Sequence, residues 1–203
     1  MGIYAVKPRF RVALRGLEHL LIAWGVSADQ LTVAGLGCAL AAAGTLVATA
    51  VQPWLALAVP PLVVARLMCN ALDGMLAPTT GTARPLGQVL NEMCDRLADV
   101  TILVAACVRA DAPALGLVSV ASVLLASAAG VTSAAAGGTR QYGGVMGKAD
   151  RMLLLAIAMP VTLVWGGRTV VGAWLAAVAA GSAVTLIQRC LTIRQEFAPR
   201  ARR

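Results

Sequence analysis

The chain has 203 residues, of which 59% are hydrophobic and only 4% aromatic, and its formal net charge is +8 at pH 7. Soluble domains are nearer ~45–50% apolar, and several apolar runs here reach the ~20 residues that a membrane-spanning helix needs. The composition therefore excludes an ordinary soluble domain. The continuous apolar runs, which do not alternate with polar residues, also disfavour a β-barrel.

We predict an all-α integral membrane protein with one domain over residues 1–203 and six transmembrane helices. Residues 1–25 follow a helical period with basic residues on one side, which predicts an amphipathic helix in the membrane interface; the alternative is a solvated basic tail. Ser27 is a candidate N-cap for the first span. The predicted spans cover 31–51, 54–77, 86–108, 113–135, 152–165 and 170–188, and a basic tail follows over 189–203.

The cations are distributed unevenly among the predicted loops. Thirteen Lys and Arg residues fall on the side of the termini, and two, Arg109 and Arg168, fall on the other side. Because cytoplasmic loops carry the excess of Lys and Arg, both termini are predicted to lie in the cytoplasm of a bacterial-type cell membrane. This distribution also explains the net charge without nucleic acid, which we do not expect as a partner.

A polar cluster interrupts the second and third spans near their cytoplasmic ends. Asn70 and Asp73 are three residues apart, and Asn91, Asp95 and Asp99 are four apart, so each set lies on one face of a helix. Charged residues inside a bilayer cost ~2.5–3.5 kcal/mol each and mark candidate functional sites. Hard oxygen ligands of this kind favour Mg²⁺ or Mn²⁺, often together with the phosphates of a substrate.

A purely structural role is the alternative for the same cluster. Arg66 shares a helix face with Asn70, and Arg96 follows Glu92 by four residues, so both arginines are placed to pair with the acids. Lys148 and Arg151 in the later loop suit either phosphate binding or the ordinary bias of positive charge toward the cytoplasm.

The cluster resembles the signature of the CDP-alcohol phosphatidyltransferases, D-x2-D-G-x2-A-R-x8-G-x3-D-x3-D. The spacing is matched throughout, and five of its eight fixed positions are identical: Asp73, Gly74, Ala77, Gly87 and Asp95. The three departures are Asn70, Pro78 and Asn91, which stand where the signature has Asp, Arg and Asp. Asp99 and the segments 25–32 and 147–151 also resemble sequences of this family.

The resemblance implies a six-helix fold, homodimerisation and a role in phospholipid biosynthesis. One or two Mg²⁺ or Mn²⁺ ions would lie among Asn70, Asp73, Asn91 and Asp95 and hold the diphosphate of CDP-diacylglycerol or a similar CDP-lipid. Asp95 would remove the proton of an alcohol acceptor, and CMP would leave. The residues implied at the nucleotide are Asp73, Gly74, Ala77 and Gly87, and those at a phosphate on the acceptor are Arg140, Lys148 and Arg151.

The departures from the signature remove two negative charges and one possible phosphate contact. Glu92 and Asp99 are candidates to compensate for the charge, and Arg84 or Arg66 to replace the arginine. The alternatives to an active transferase are a catalytically silent relative, which binds lipid or nucleotide or scaffolds a lipid-synthesis complex, and a small transporter or channel. The transporter has little support, because the polar residues gather at one end of the spans.

Overall fold

The computed structural model describes residues 7–198, and the side chains of residues 12–198. Its ordered elements in that range are helices: α1 (Lys7–Ala23), α2 (Ala28–Ala48), α3 (Val59–Thr79), α4 (Pro85–Ala110), α5 (Pro113–Ala135), α6 (Lys148–Trp165) and α7 (Gly167–Phe197), with a short 3-10 helix over Pro53–Ala58. The all-α prediction is confirmed for this part of the chain.

Local sequence explains several helix ends. Ser27 caps α2 through its side chain, which accepts a hydrogen bond from the Gln30 amide, and the Gln30 side chain accepts one from the Ser27 amide to complete a capping box. Proline occupies the first turn of α3, α4 and α5, where its missing N–H costs nothing. The N-cap predicted at Ser27 is therefore confirmed.

Three predicted boundaries differ from the structure. The turn expected from residue 78 begins later, because α3 continues through Pro78 to Thr79. Helix α6 begins at Lys148, four residues before the expected start, since the Asp150 carboxylate caps it at the Gly147 amide. Helix α7 continues past 188 to Phe197, so most of the predicted basic tail is helical, and residues 199–203 lie outside the described range.

Four stretches of the described chain are long and apolar enough to cross a membrane: Ala28–Ala48, Pro53–Thr79, Pro113–Ala135 and Gly167–Phe197. The predicted third and fifth spans correspond to α4 and α6, which carry most of the charged residues of the cluster and do not meet that criterion. Large apolar side chains are exposed on the outer faces of the helices, as expected for contact with lipid. Six spans therefore remain a prediction.

Helix α2 lies between α3 and α4 and packs along both, whereas α3 and α4 have little direct backbone packing. Its buried face is built from small residues, including Gly35, Ala39, Ala42 and Ala43. Small residues let helix backbones approach closely, which is the usual basis of helix packing in membranes. The arrangement leaves α3 and α4 facing one another across a cleft.

Helix α1 lies within residues 1–25, for which an amphipathic helix is predicted, and residues 1–6 of that range lie outside the described part of the chain. Leu14 of α1 is buried against Leu31, Leu72 and Leu76. Glu18 of α1 is also buried, and it accepts a hydrogen bond from Thr79 at the end of α3. These contacts attach α1 to the cleft end of α2 and α3. Its position in the membrane interface stays a prediction.

We expect Gly35→Ala to destabilise the protein by about 1–3 kcal/mol, because overpacking a close helix contact forces the neighbouring side chains to move. A Cβ atom at Gly35 would lie 2.8 Å from Asn70 Oδ1 and 3.2 Å from Cys69 Cβ. Gly37→Ala is the matched control, since a Cβ there meets nothing within 4 Å. Unfolding in detergent micelles would compare the two variants; equal stabilities would contradict the packing argument.

Candidate active site

A cavity of about 520 Å³ opens between α3, α4, α5, α6 and α7 and the loop that precedes α6. Most of its polar wall comes from four sources: Asn70, Asp73 and Gly74 on α3; Gln88, Asn91, Glu92, Asp95 and Arg96 on α4; Arg140, Gln141, Tyr142 and Gly147 in the loop; and Lys148 and Arg151 on α6. Ser127 of α5 and Thr185 and Arg189 of α7 complete it. Leu67, Ala71 and Leu153 are among its apolar residues. The structure thus brings together most of the residues singled out from the sequence.

Asp73 lines this cavity and is itself buried. Its Oδ2 accepts a hydrogen bond from Thr32 Oγ1 of α2 at 2.8 Å and a longer one from Asn91 Nδ2 of α4 at 3.3 Å. Its Oδ1 is buried and has no hydrogen-bond partner. A buried carboxylate oxygen normally finds a donor, so this atom is a ready acceptor for a cation or for a donor on a ligand.

Asp95 lines the cavity from α4, and both of its oxygens are engaged. Asn70 Nδ2 donates to Oδ1 at 2.5 Å, and Lys148 Nζ donates to Oδ2 at 2.5 Å. The two helix faces predicted from the spacing therefore meet through side chains, Asn70 with Asp95 and Asn91 with Asp73. These contacts join α3 and α4 where their backbones do not pack.

The donor set fits a divalent cation only with help from amide oxygens. Within residues 7–198, no group of three or more His, Cys, Asp and Glu side chains lies close enough to hold a metal ion. The two carboxylates, Asp73 and Asp95, stand beside Asn91, whose amide carbonyl oxygen is a hard ligand without charge, whereas Asn70 turns its Nδ2 toward Asp95. The unpartnered Asp73 Oδ1 makes this position suitable for a hard cation.

Charged side chains form a second group in the cavity wall. Glu92 accepts hydrogen bonds from Arg96, one turn further along α4, and from Arg140 in the loop. The guanidinium of Arg140 also lies over the ring of Tyr142, 5.0 Å from its centroid. The predicted Glu92–Arg96 pair is confirmed. Because Glu92 is paired with two arginines, its charge is not available to replace the negative charge lost at Asn70 and Asn91.

Asp99 lies behind the cavity wall in a buried ion network. Its Oδ1 accepts from Arg66 Nη2 at 2.9 Å, and its Oδ2 accepts from Arg151 Nη2 at 2.6 Å. Arg66 also donates to the backbone carbonyl of Asp95 at 3.4 Å. The expected structural pairing therefore exists for Arg66 and Asp99, and neither of them lines the cavity.

Only some of the residues expected at the nucleotide line the cavity. Gly74 lines the cavity, whereas Ala77 and Gly87 lie beyond its wall. Arg84 pairs with Asp29 outside the cavity, and Pro78 completes the last turn of α3. Arg151 reaches the cavity, although its guanidinium is bound to Asp99.

Sequence reasoning missed two features of the site. Thr32 of α2 donates to Asp73, although 41 residues separate them; it ends the segment 25–32 whose resemblance to the family was noted without a role. Arg189 of α7 donates to the carbonyls of Ala126 and Gly143, which fixes the loop against α5. No local pattern marks Arg189 as anything but a basic residue at a helix end.

Comparisons with known proteins identify relatives of the chain, although no protein-family model matches it. YnbA, an inner membrane protein of Escherichia coli (strain K12), is 32% identical over 158 residues, covering 77% of this chain and 78% of that protein. The phosphatidylinositol phosphate synthase of Mycolicibacterium smegmatis is 29% identical over 200 residues, covering 93% of this chain and 83% of that protein.

Solved structures of the phosphatidylinositol phosphate synthase of Mycobacterium tuberculosis share the fold. The complex with manganese and citrate has a TM-score of 0.73 at 21% identity, covering 93% of this chain and 92% of that one. The form with CDP-DAG bound has a TM-score of 0.72 at 21% identity, covering 93% and 96%. The fold and the relatives together define an integral membrane protein whose apolar helices surround a polar cleft. In sequence and in fold the chain is similar to phosphatidylinositol phosphate synthases, which are CDP-alcohol phosphatidyltransferases.

Proposed function

We propose that the protein is a metal-dependent transferase of phospholipid biosynthesis. It moves the phosphatidyl group of CDP-diacylglycerol, or of a similar CDP-lipid, to an alcohol and releases CMP. The observation that carries this proposal is the cavity that Asp73 and Asp95 line from two helices, with the buried Asp73 Oδ1 lacking a protein partner. A carboxylate that only packed helices together would have both oxygens satisfied.

The cleft is suited to a diphosphate with a lipid attached. Its acids lie at one end of α3 and α4, and exposed apolar side chains of α4 and α5 continue from there, so a lipid tail can stay among apolar groups while its head enters. We assign Asp73, Asp95 and Asn91 to the Mg²⁺ or Mn²⁺ site, with Asn70 beside them. When bound, such an ion neutralises phosphate charge and stabilises departing CMP.

Asp95 is the proposed general base. Its carboxylate lies in the cavity wall, where it accepts the proton of the acceptor hydroxyl. The new bond forms between the acceptor oxygen and the phosphorus that bears the lipid, and the bond from that phosphorus to the oxygen of CMP breaks. Asn70 and Lys148 hold the carboxylate by one oxygen each, which fixes its orientation toward the hydroxyl.

The acceptor is proposed to be an alcohol that carries a phosphate. Arg140 is partly exposed at the cavity wall, and its planar guanidinium is suited to a phosphate. Lys148 and Arg151 add positive charge from α6, although both are already bound to acids. The M. smegmatis relative is named for a product whose head group contains a phosphate, which supports the same class of acceptor.

We further infer that α4 and α6 cross the membrane with the four apolar segments, that α1 lies in the interface, and that the termini and the cleft face the cytoplasm. The distribution of cations supports this orientation. Arg168 pairs with Asp111, and Arg109 donates to Thr49, so the two arginines of the opposite side gather at the end away from the cleft. Association as a homodimer stays a prediction.

The test is CMP release from CDP-diacylglycerol by the purified protein in liposomes, with Mg²⁺ or Mn²⁺ and matched acceptors with and without a phosphate. We expect release that requires metal and acceptor, and faster release with the phosphorylated acceptor of each pair. Release that prefers the unphosphorylated acceptor would contradict the acceptor class alone. No release with any acceptor from a folded protein would favour the catalytically silent alternative.

A further inference from the structure

Lys148 occupies an unusual position for a lysine in this chain. It is the first residue of α6, and its ammonium lies in the cavity against Asp95 Oδ2 at 2.5 Å. Its side chain is 27% exposed, and that of Asp95 is 17% exposed, so the pair is neither fully hydrated nor sealed. A unit positive charge is therefore built into the site where a metal ion is expected.

The other acids near the cavity are already neutralised by arginines. Glu92 accepts hydrogen bonds from both Arg96 and Arg140 in the cavity wall. Behind the wall, the Asp99 carboxylate lies between two buried guanidinium groups, one from α3 and one from α6. Neither acid therefore contributes net negative charge that could attract a metal ion.

Three charged side chains remain at the cluster itself, namely Asp73, Asp95 and Lys148. Together they carry one net negative charge. One divalent cation turns this into one net positive charge, which a diphosphate can balance. A second divalent cation would have to enter a site that is already positive and would meet the Lys148 ammonium at Asp95.

Asn70 does not offer its oxygen to the cluster. Its Nδ2 donates to Asp95 Oδ1, and its Oδ1 faces α2, where a Cβ atom at Gly35 would lie 2.8 Å away. Both oxygens of Asp95 are thus held by donors, while the buried Oδ1 of Asp73 has none. The carboxylate oxygen that is available to bind a cation therefore belongs to Asp73.

We propose that Lys148 is a fixed cation of this site, held by Asp95, and that the site consequently takes up one divalent cation per chain. Asn70 is then a positioning residue that orients Asp95. This inference rests on the proposed function, because it assumes that the cleft binds a divalent cation, and it adds the number of ions and the residue that limits it.

The test counts Mn²⁺ bound to the full-length, metal-stripped protein in detergent, without any lipid substrate. Equilibrium dialysis gives the number of ions per chain, and electron paramagnetic resonance detects spin coupling between two neighbouring Mn²⁺ ions. We expect one uncoupled ion in the wild type. Lys148→Met should tighten binding by roughly tenfold, because it removes a nearby unit charge. The double variant Asn70→Asp, Lys148→Met should bind a second, coupled ion.

Arg168→Met is the matched control, since it removes an exposed cation at the other end of the molecule and should leave the count and the affinity unchanged. Two coupled ions in the wild type would overturn the inference and leave the transferase proposal standing. A double variant that binds only one ion, with wild-type affinity, would also overturn the inference and leave the transferase proposal standing. Absence of Mn²⁺ binding would contradict both proposals, and one bound ion without CMP release would contradict only the transferase. The wild-type count is decisive even if the Lys148→Met protein does not fold.

Discussion

Asp95→Asn is expected to lower the rate of CMP release by about 10²–10⁴-fold while leaving the protein folded. Loss of a general base typically costs this much, because an amide cannot take the proton from the attacking hydroxyl. The substitution keeps the shape of the side chain and an oxygen that can accept a hydrogen bond. Asp95 is partly exposed at the cavity, so its replacement should disturb packing little.

A second measurement separates proton removal from metal binding, since Asp95 also belongs to the proposed metal site. We expect the maximal rate of Asp95→Asn to stay low when Mn²⁺ is raised to saturation. Recovery of the wild-type rate at high Mn²⁺ would show that the carboxylate acts only as a ligand. Asp111→Asn, at the opposite end of the molecule, is the control and should keep its activity. A rate for Asp95→Asn within about threefold of the wild type would remove Asp95 from the chemistry.

The sequence predicts the two halves of this site well because they are local. Helical spacing places Asn70 with Asp73 and Asn91 with Asp95, and the i,i+4 rule predicts the pair of Glu92 with Arg96. The connection between α3 and α4 is short, so it keeps the ends of the two helices close together. The structure confirms that the two polar faces meet there.

The other contacts of the site depend on how the helices are rotated and packed, and the spacing of residues along one helix does not determine this. Thr32 reaches Asp73 only because the small residues of α2 bring that helix between α3 and α4. Lys148 reaches Asp95 across 53 residues because α6 begins beside the cleft. A periodic pattern identifies the face that a helix buries, but not the partner that this face will meet.

The observed helix ends differ from the predicted ones for a related reason. Hydropathy places a boundary where polar residues begin, whereas the backbone continues as long as its hydrogen bonds are satisfied. Helix α7 therefore extends through a basic stretch to Phe197, and Asp150 starts α6 earlier than its apolar run suggests. At α6, the charged residues that shortened the predicted span also belong to the site.

Asp99→Ala is expected to destabilise the protein by about 3–5 kcal/mol, which is the usual cost of removing one partner from a buried ion network. The Asp99 side chain is fully buried, and those of Arg66 and Arg151 are 1% and 5% exposed. Without the carboxylate, two guanidinium groups from α3 and α6 would face each other in the interior with no opposite charge between them. Unfolding by a denaturing detergent, followed by helical signal, would measure the loss.

Arg168→Ala is the matched control, because it removes one partner of an exposed ion pair with Asp111 at the other end of the molecule and should cost no more than about 1 kcal/mol. Equal losses for the two variants would show that the network contributes little. The network should also matter for activity, since Arg66 donates to the backbone carbonyl of Asp95 and thereby fixes the helix turn that carries the proposed base. Asp99→Ala should therefore lose stability and activity together, whereas Asp95→Asn should lose activity alone. That contrast separates the residue that performs the chemistry from the network that holds it in place.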